Sequence, residues 1–310
     1  VPSRMMFPDD SRVGLGLLYG VLAYVAFLQW RLGVLKRATL RGSPTAPRWL
    51  SKLFVWASSL AAWLVGVHIK SLAGRGLQAE QRRYLYVWHP HGFVSYVPTF
   101  LMGAMAIKGE PHGCTWFGTC ATFLFYLPLL GEHMTVTNAR SVDKASIEAI
   151  LGHGGTIAVQ PGGVREQAAT RHDQEQAFFS RKLGFVRIAI KHGIPLMPLY
   201  IFGENQLYRR VDGMEWLTRL IRSATGMTLP IVTAKFGLPQ AGLLPIATDV
   251  HVRYGAPVEV GCPEDNPTDA RVEEVFGRYL AELKRVFDEN AGDCLPPTVA
   301  AAGLKVVRMP

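Results

Sequence analysis

Two long uncharged stretches near the N-terminus are the first pattern along the chain. Val13 to Trp30 is eighteen residues without a charge, and Leu53 to Ile69 is seventeen. As a helix the first stretch would extend about 27 Å, close to the roughly 30 Å of a bilayer's hydrocarbon core. Trp30 and Trp49 lie at the margins, where interfacial tryptophans are common. The pattern predicts a membrane-embedded helical hairpin over residues 1–75, with two buried helices of a soluble core as the alternative.

Beyond Arg83, short apolar runs alternate with helical patterns. We expect strands at 84–88, 156–160, 194–202 and 249–254, and helices at 117–130, 142–151, 181–192 and 272–290. Because strands that alternate with helices form parallel sheets, the pattern predicts an α/β fold with a mostly parallel sheet flanked by helices. Nothing divides this part of the chain, so residues 76–310 are predicted to form one domain.

The composition favours a protein that keeps part of its surface in lipid. Charged residues are only 18% of the chain, against roughly 25% in typical soluble proteins, and the net charge is +9. A basic surface suits an anionic membrane or a phosphate-bearing substrate. Nucleic acid is disfavoured, because no dense Lys/Arg tract with interleaved aromatic residues occurs. The scattered cysteines favour reduced thiols; they are Cys114, Cys120, Cys262 and Cys294.

The turn His89-Pro90-His91-Gly92 carries the most specific chemistry. Pro90 stiffens this turn, and Gly92 permits a positive φ or the close approach of a ligand. Two imidazoles thus project from a rigid turn at a strand end, where α/β folds place their sites. A neutral imidazole can take a proton from an alcohol that attacks an acyl group, so His89 and His91 are predicted to be catalytic. Structural histidines and a metal-binding pair are the alternatives.

A second turn, Pro161 to Glu166, follows a predicted strand. Gly162 and Gly163 allow successive backbone N–H groups to face one concavity, which suits an oxyanion or a phosphate. Arg165 and Glu166 add a cation and a carboxylate at its rim. A pair of glycines is weak evidence for a binding site by itself, since most such pairs only form tight turns.

The order of these motifs resembles that of the type-2 diacylglycerol acyltransferase family, which includes monoacylglycerol and wax-alcohol acyltransferases. The resemblance covers roughly residues 84–290. It is carried by His89-Pro90-His91-Gly92, residues 131–140, Pro161-Gly162-Gly163-x-x-Glu166, Arg181 to Arg187, residues 195–198, Phe202-Gly203-Glu204-Asn205, residues 242–245 and Gly255 to Val260. The family is part of the wider glycerolipid acyltransferase superfamily.

The resemblance implies a membrane enzyme that transfers a fatty acyl group from acyl-coenzyme A to diacylglycerol and forms triacylglycerol. It places the catalytic domain on the cytosolic side of the endoplasmic reticulum, and also on lipid droplets. Acyl-coenzyme A is a co-substrate, no cofactor or metal is expected, and a homo-oligomer is left open. Monoacylglycerol, a long-chain alcohol and a phosphate-bearing lysolipid are alternative acceptors. Two alternatives come from other functional classes. One is a metal-dependent lipid hydrolase with His89, His91 and Glu166 as metal ligands, and the other is a non-enzymatic lipid-droplet coat protein.

The resemblance also implies roles for individual residues. The wider superfamily has a carboxylate five residues after its histidine, whereas Val94 and Tyr96 occupy those positions here. We therefore expect Glu166 to orient the base, which is His89 with His91 assisting. The expected substrate-binding residues are Gly92, Gly162, Gly163, Arg165, Arg181, Lys182 and Arg187. The last three would meet the phosphates of coenzyme A, or form a solvated basic face near an anionic leaflet.

Overall fold

A computed structural model describes residues 10–75, 83–101, 116–225, 231–235, 237, 239–240 and 244–309. Cys114, Gly242 and Leu243 lie outside them. The described strands are β1 (Val67–Gly74), β2 (Leu85–His89), β3 (Trp116–Cys120), β4 (Ala139–Ser141), β5 (Thr156–Val159), β6 (Glu175–Ser180), β7 (Leu196–Phe202), β8 (Arg209–Arg210), β9 (Val232–Thr233), β10 (Pro239–Gln240), β11 (Thr248–Tyr254) and β12 (Leu304–Met309). The described α-helices are α1 (Asp10–Leu40), α2 (Arg48–Val65), α3 (Leu130–Val136), α4 (Lys144–Gly152), α5 (Gly163–Ala169), α6 (Gly184–His192), α7 (Glu215–Thr225), α8 (Asp269–Cys294) and α9 (Pro297–Ala302).

The central sheet has seven strands in the order β1–β11–β7–β2–β5–β3–β4. Its neighbours pair in parallel, except that β11 is antiparallel to β7. This confirms the predicted α/β class and the mostly parallel sheet. Smaller sheets pair β6 with β12 and join β8, β9 and β10.

Helices cover both faces of the sheet, which explains why the central strands are apolar throughout. Every residue of β2 and β7 is buried. Leu85 and Val87 point into a core shared with α4, α6 and α8, whereas Tyr86 and Trp88 point into the opposite core, to which Ala62 of α2 contributes. The alternation follows the two-residue period of a strand.

The first apolar run forms the exposed part of a longer helix. Of the described residues, one segment, Gly14–Leu40 in α1, is long and apolar enough to cross a membrane. The change from exposed to docked helix falls at Arg31, which is almost fully buried. Its guanidinium pairs with Glu132 and donates to the Phe125 carbonyl, and Leu35 packs on Met134 of α3. The last third of α1 therefore attaches the helix to the α/β domain.

The second apolar run, residues 53–69, belongs to two elements, helix α2 and strand β1. Helix α2 ends at Val65, where Gly66 adopts φ 90° and its N–H bonds back to the helix. The rest of the run becomes β1, which pairs with β11, so the large sheet begins before residue 76. Helix α2 packs one face on α3 and residues 97–101. Its other face exposes large apolar side chains: Trp49, Leu53, Trp56, Leu60, Trp63 and Leu64.

The helix expected over residues 117–130 is wrong. Its first residues belong to β3, and a 3-10 turn, Thr122–Tyr126, follows. The run is apolar because Phe117 is fully buried in the core and Phe125 packs beneath α1. Periodicity alone does not separate a short buried strand from a buried helix, and here the strand partners on both sides decide.

Candidate active site

The turns singled out by the sequence meet at one edge of the sheet. Strand β2 lies between β5 and β7, and all three strands run in parallel. Their C-terminal ends therefore share an edge, which is where α/β folds bind ligands. His89 ends β2, Gly162 follows β5, and Glu204 follows β7. The sequence-predicted histidine turn and the second glycine turn are thus neighbours in space.

His89 is the inner imidazole and is completely buried. Its Nε2 lies 2.9 Å from the Tyr279 hydroxyl of α8, and its ring centroid lies 5.1 Å from that of Phe179. Its Nδ1 is buried and has no hydrogen-bond partner among the described residues. Burial, and then the charge of His91, lower the pKa of His89 to about 3. The ring is therefore neutral at pH 7.

His91 is the outer imidazole and is partly exposed. The Ser95 hydroxyl lies 3.1 Å from its Nδ1, while its Nε2 makes no hydrogen bond to the part of the chain that the structure describes. Burial lowers the pKa of His91 to about 4, against a smaller opposing effect of the Gly92 and His91 carbonyls. At pH 7 this ring too is neutral, which leaves a lone pair on one of its nitrogens.

Side chains from residues 160–170 bind the backbone of the histidine turn. The Glu166 carboxylate accepts the His91 N–H at 2.6 Å and the Phe178 N–H at 3.1 Å. Carbonyls of the turn accept the remaining bonds: Pro90 from Gln160, Gly92 from Thr170 and Phe93 from Gln167. Since buried backbone groups need partners, these bonds hold the turn against the β5–α5 segment.

Glu166 therefore holds the backbone of His91, and neither imidazole hydrogen-bonds to it. The expectation that Glu166 orients the base through its ring differs from this geometry, in which the ring partners are Tyr279 and Ser95. Glu166 lies in the first turn of α5, and its carboxylate meets N–H groups of two other segments, the histidine turn and β6. Burial raises the pKa of Glu166 to about 7, against the opposing effect of its two backbone hydrogen bonds.

Glu204 is a second buried carboxyl group with the same task, and sequence analysis did not assign it a role. It accepts the N–H groups of Tyr96 at 2.6 Å and Val97 at 2.9 Å. Burial raises the pKa of Glu204 to about 8. The available signal was its position directly after the apolar run of β7, at the sheet edge that carries the other turns.

Glu175 is a third buried carboxyl group, and it binds side chains of β7 and of the segment that follows β7. It accepts hydrogen bonds from the Tyr200 hydroxyl at 2.6 Å and from the Asn205 and Gln206 amides at 3.0 Å. Its charge adds to the rise in the pKa of Glu166 and of Glu204. Sequence analysis does not identify Glu175, because it is the first residue of β6, a strand that the hydrophobic pattern does not predict.

Gly92 and Gly162 leave no room for a side chain, because a glutamate side chain packs against the backbone at each position. A Cβ at Gly92, where φ is 68°, would lie 2.6 Å from Glu204 Oε1, and one at Gly162 would overlap the Glu166 carboxylate. Gly162 is right-handed helical at φ −73° and ψ −29°, and Gly163 follows at φ 51°. A right-handed residue before a left-handed one turns successive N–H groups to one side. Their role as oxyanion donors stays a prediction.

Arg187 is already engaged within the protein. Its guanidinium pairs with Asp269 at the start of α8 and donates to the carbonyls of Lys182 at 3.0 Å and Pro267 at 3.1 Å. These bonds join α6 to α8. The geometry gives Arg187 a structural task, whereas sequence analysis expects it to bind substrate.

Arg181 and Lys182 are exposed basic residues on a turn that follows the His89 contact Phe179. They form the turn between β6 and α6, immediately after Phe179 and Ser180. Because the Phe179 ring packs on His89, this turn lies close to the buried end of the site. Arg165 is exposed on α5, one position before Glu166.

Tyr279 and Ser95 complete the surroundings of the imidazoles. The sequence places Tyr279 on the apolar stripe of the last long helix, where its ring does pack, but the pattern does not reveal the role of its hydroxyl. Ser95 has no sequence signal beyond its distance of four residues from His91. Within the described ranges, no three His, Cys, Asp or Glu side chains are grouped as a metal site.

Comparison with known proteins adds a family to this geometry. Residues 27–294 match the profile of the diacylglycerol acyltransferase family. The 2-acylglycerol O-acyltransferase 1 of Bos taurus is 32% identical over 221 residues, which are 67% of this chain and 65% of that protein. The diacylglycerol O-acyltransferase 2B of Umbelopsis ramanniana is 28% identical over 220 residues, or 66% of this chain and 63% of that protein. The chain thus spans slightly less than two thirds of the length of these relatives.

One solved structure also aligns with the chain. It is the crystal structure of the 1-acyl-sn-glycerophosphate (LPA) acyltransferase PlsC from Thermotoga maritima, at a TM-score of 0.44 and 17% identity. The alignment covers 90% of this chain and 99% of that one.

The packing of Glu166 on Gly162 predicts a specific loss of stability. Gly162→Ala places a methyl group on the buried carboxylate, so we expect unfolding to become easier by about 1–3 kcal/mol, as in other overpacked sites. Gly184→Ala is the matched control, because a Cβ there meets open space at the start of α6. It should leave the stability unchanged or raise it slightly. Thermal unfolding of both variants in the same detergent checks this, and equal melting temperatures would contradict the packing described here.

Proposed function

The chain belongs to the diacylglycerol acyltransferase family, and on that premise we propose that it transfers a fatty acyl group from acyl-coenzyme A to a free hydroxyl of a neutral acylglycerol. Diacylglycerol is the leading acceptor, and triacylglycerol is then the product. The observation that carries the proposal is His91, a neutral imidazole whose Nε2 has no hydrogen-bond partner among the described residues and which lies on a rigid turn at the ligand-binding edge of the sheet.

His91 is the general base of the proposed reaction. Its Nε2 takes the hydroxyl proton as the acceptor oxygen attacks the thioester carbonyl and forms the new C–O bond. The C–S bond then breaks, and the proton returns from His91 to the sulfur of coenzyme A. A positioned base of this kind typically contributes about 10²–10⁴ in rate.

His89 is a supporting residue in this proposal, although sequence analysis expects it to be the base. Its Nε2 is bound to Tyr279, and the whole ring is buried against Phe179. A base must come within hydrogen-bond reach of the proton that it abstracts, and the partly exposed His91 meets this need better. His89 instead fixes the end of β2 on α8.

The acyl carbonyl needs donors for the negative charge that develops on its oxygen. The N–H groups at Gly162 and Gly163 are the proposed donors, supported by the succession of right- and left-handed backbone there. Arg181 and Lys182 are the proposed contacts for the coenzyme A phosphates. Their exposure and their place after Phe179 support this assignment.

Monoacylglycerol is the second candidate acceptor. The relative of 32% identity is a 2-acylglycerol O-acyltransferase, whereas the diacylglycerol enzyme from Umbelopsis ramanniana is 28% identical. The chemistry at the hydroxyl is the same for both acceptors and for a long-chain alcohol. A phosphate-bearing lysolipid would differ, because its headgroup requires a cation such as Arg165 at the site.

We propose that the enzyme lies on the endoplasmic reticulum membrane and on lipid droplets. Helices α1 and α2 form a hairpin in the membrane in this proposal, and the α/β domain faces the cytosol. Exposed apolar side chains on both helices support the embedding. Charge leaves the orientation open, because the basic residues of the connection and of the flanks balance. The docking of α1 through Arg31 and Glu132 would keep the domain at the bilayer surface.

The proposed reaction is tested with purified protein, labelled acyl-coenzyme A and a panel of acceptors. Diacylglycerol and monoacylglycerol should be acylated, with no transfer to glycerol 3-phosphate or lysophosphatidic acid. His91→Ala should lower kcat by about 10²–10⁴ because the base is lost. His153→Ala, which changes an exposed histidine at the end of α4, is the control. Normal turnover by folded His91→Ala, or transfer to lysophosphatidic acid alone, would refute the proposal.

The membrane proposal is tested on exposed positions of α1. Leu17→Glu with Val21→Glu places two charges on one helix face, each costing about 2.5–3.5 kcal/mol or more near the centre of a bilayer. Since both side chains are exposed, the domain should still fold, but the protein should become extractable by carbonate. Val142→Glu changes an exposed apolar residue of the α/β domain and should remain in the membrane. Carbonate resistance of the α1 variant would contradict the embedding of this helix.

A further inference from the structure

Ser95 adopts a backbone conformation that serine rarely adopts. Its φ is 51°, in the left-handed region that glycine occupies readily and residues with a Cβ avoid. Such a conformation persists only where the surrounding structure enforces it. Glu204 does so here, because it binds the next two backbone N–H groups, those of Tyr96 and Val97. The result brings the Ser95 hydroxyl back over His91.

The hydroxyl of Ser95 has one hydrogen and two neighbours. It lies 2.9 Å from the His91 carbonyl oxygen and 3.1 Å from His91 Nδ1. A carbonyl oxygen only accepts, so the serine hydrogen is used in that bond. The contact with Nδ1 is then a hydrogen bond only if Nδ1 carries a hydrogen and donates it to the serine oxygen.

The carbonyl of His91 itself favours the same assignment. It accepts from the imidazole and raises the pKa of the ring, against the larger effect of burial. Covalent geometry makes Nδ1 the ring nitrogen nearest its own carbonyl. A neutral imidazole has a single ring hydrogen. When that hydrogen is on Nδ1, the lone pair is on Nε2.

We propose that Ser95 is a positioning residue that holds His91 in the tautomer whose Nε2 carries the lone pair. The inference rests on the proposed function, in which His91 Nε2 takes the proton of the acceptor hydroxyl. A base held by a third group recurs in other catalytic sites, usually with a carboxylate as that group. A serine hydroxyl does this here without a charge, in a sequence that has no carboxylate five residues beyond either histidine.

A second serine–histidine pair in the chain, Ser58 and His133, has a different hydrogen-bond arrangement. The Ser58 hydroxyl also bonds to the carbonyl four residues before it, that of Phe54 at 2.9 Å, and lies 3.5 Å from His133 Nδ1. There, however, Nε2 of the imidazole lies 3.1 Å from the Thr99 carbonyl. The ring hydrogen of His133 is used at Nε2, so this pair has the opposite tautomer and serves as the matched control.

The deciding variant is Ser95→Gly, because glycine accepts the left-handed backbone and the substitution removes the hydroxymethyl group that carries the hydroxyl. We expect an unchanged or higher melting temperature, a kcat lower by about 10- to 100-fold, and little change in KM for acyl-coenzyme A, since part of the advantage of a positioned base is lost. Ser58→Ala should retain the wild-type kcat. A folded Ser95→Gly variant with wild-type kcat would overturn the proposal.

Nitrogen NMR of histidine-labelled protein gives a readout that does not depend on turnover. Wild-type His91 should show a hydrogen on Nδ1, and Ser95→Gly should show a mixture or a hydrogen on Nε2. A hydrogen on Nε2 in the wild type would overturn the proposal. So would a His91 tautomer that is the same in both proteins. If the wild type acylates no acylglycerol, the proposed function fails, yet this spectrum still decides the role of Ser95.

Discussion

The active-site edge of this protein depends on hydrogen bonds that side chains make to the backbone between Pro90 and Val97. This segment leaves β2 and is largely buried, so its N–H and C=O groups have neither a sheet partner nor bulk water. Glu166 and Glu204 bind its N–H groups, and Gln160, Gln167 and Thr170 bind its carbonyls. The positions of both imidazoles follow from these bonds. The need for glycine at positions 92 and 162 follows from them as well, because the Glu204 and Glu166 side chains pack closely on the backbone there.

The two histidines of the turn have different surroundings. His89 belongs to the core: it ends a fully buried strand and bonds to Tyr279 of α8. His91 is partly exposed, and the Ser95 hydroxyl lies beside its Nδ1. Burial keeps both rings neutral, since it lowers the pKa of each well below 6.5.

The sequence predicts what depends on local periodicity and on the order of strand ends. Strands β2, β5, β7 and β11 and helix α8 follow from apolar runs, and the convergence of His89, Gly162 and Glu166 follows from parallel strands. Local pattern does not predict contacts made across the sheet. Phe117 lies in a strand because neighbours pair with it on both sides, and the Glu166 carboxylate meets N–H groups of the histidine turn and β6. The roles of Tyr279, Glu204 and Ser95 depend on groups far along the chain or on an unusual φ, which no periodicity encodes.

The most direct test of the account is the pH dependence of kcat/KM for acyl transfer, measured from about pH 3.5 to 8. A general base works when it is deprotonated, and His91 has its pKa lowered to about 4. Activity should therefore persist to about pH 5 and fall only as the pH approaches 4. Preincubation at each pH, followed by assay at pH 7, excludes unfolding. Burial raises the pKa of Glu166 to about 7 and that of Glu204 to about 8, so the same profile is recorded for Glu166→Gln and for Glu204→Gln. A loss of activity with a midpoint near pH 6.5 that remains in both variants would show an ordinary, solvated histidine and would contradict the account.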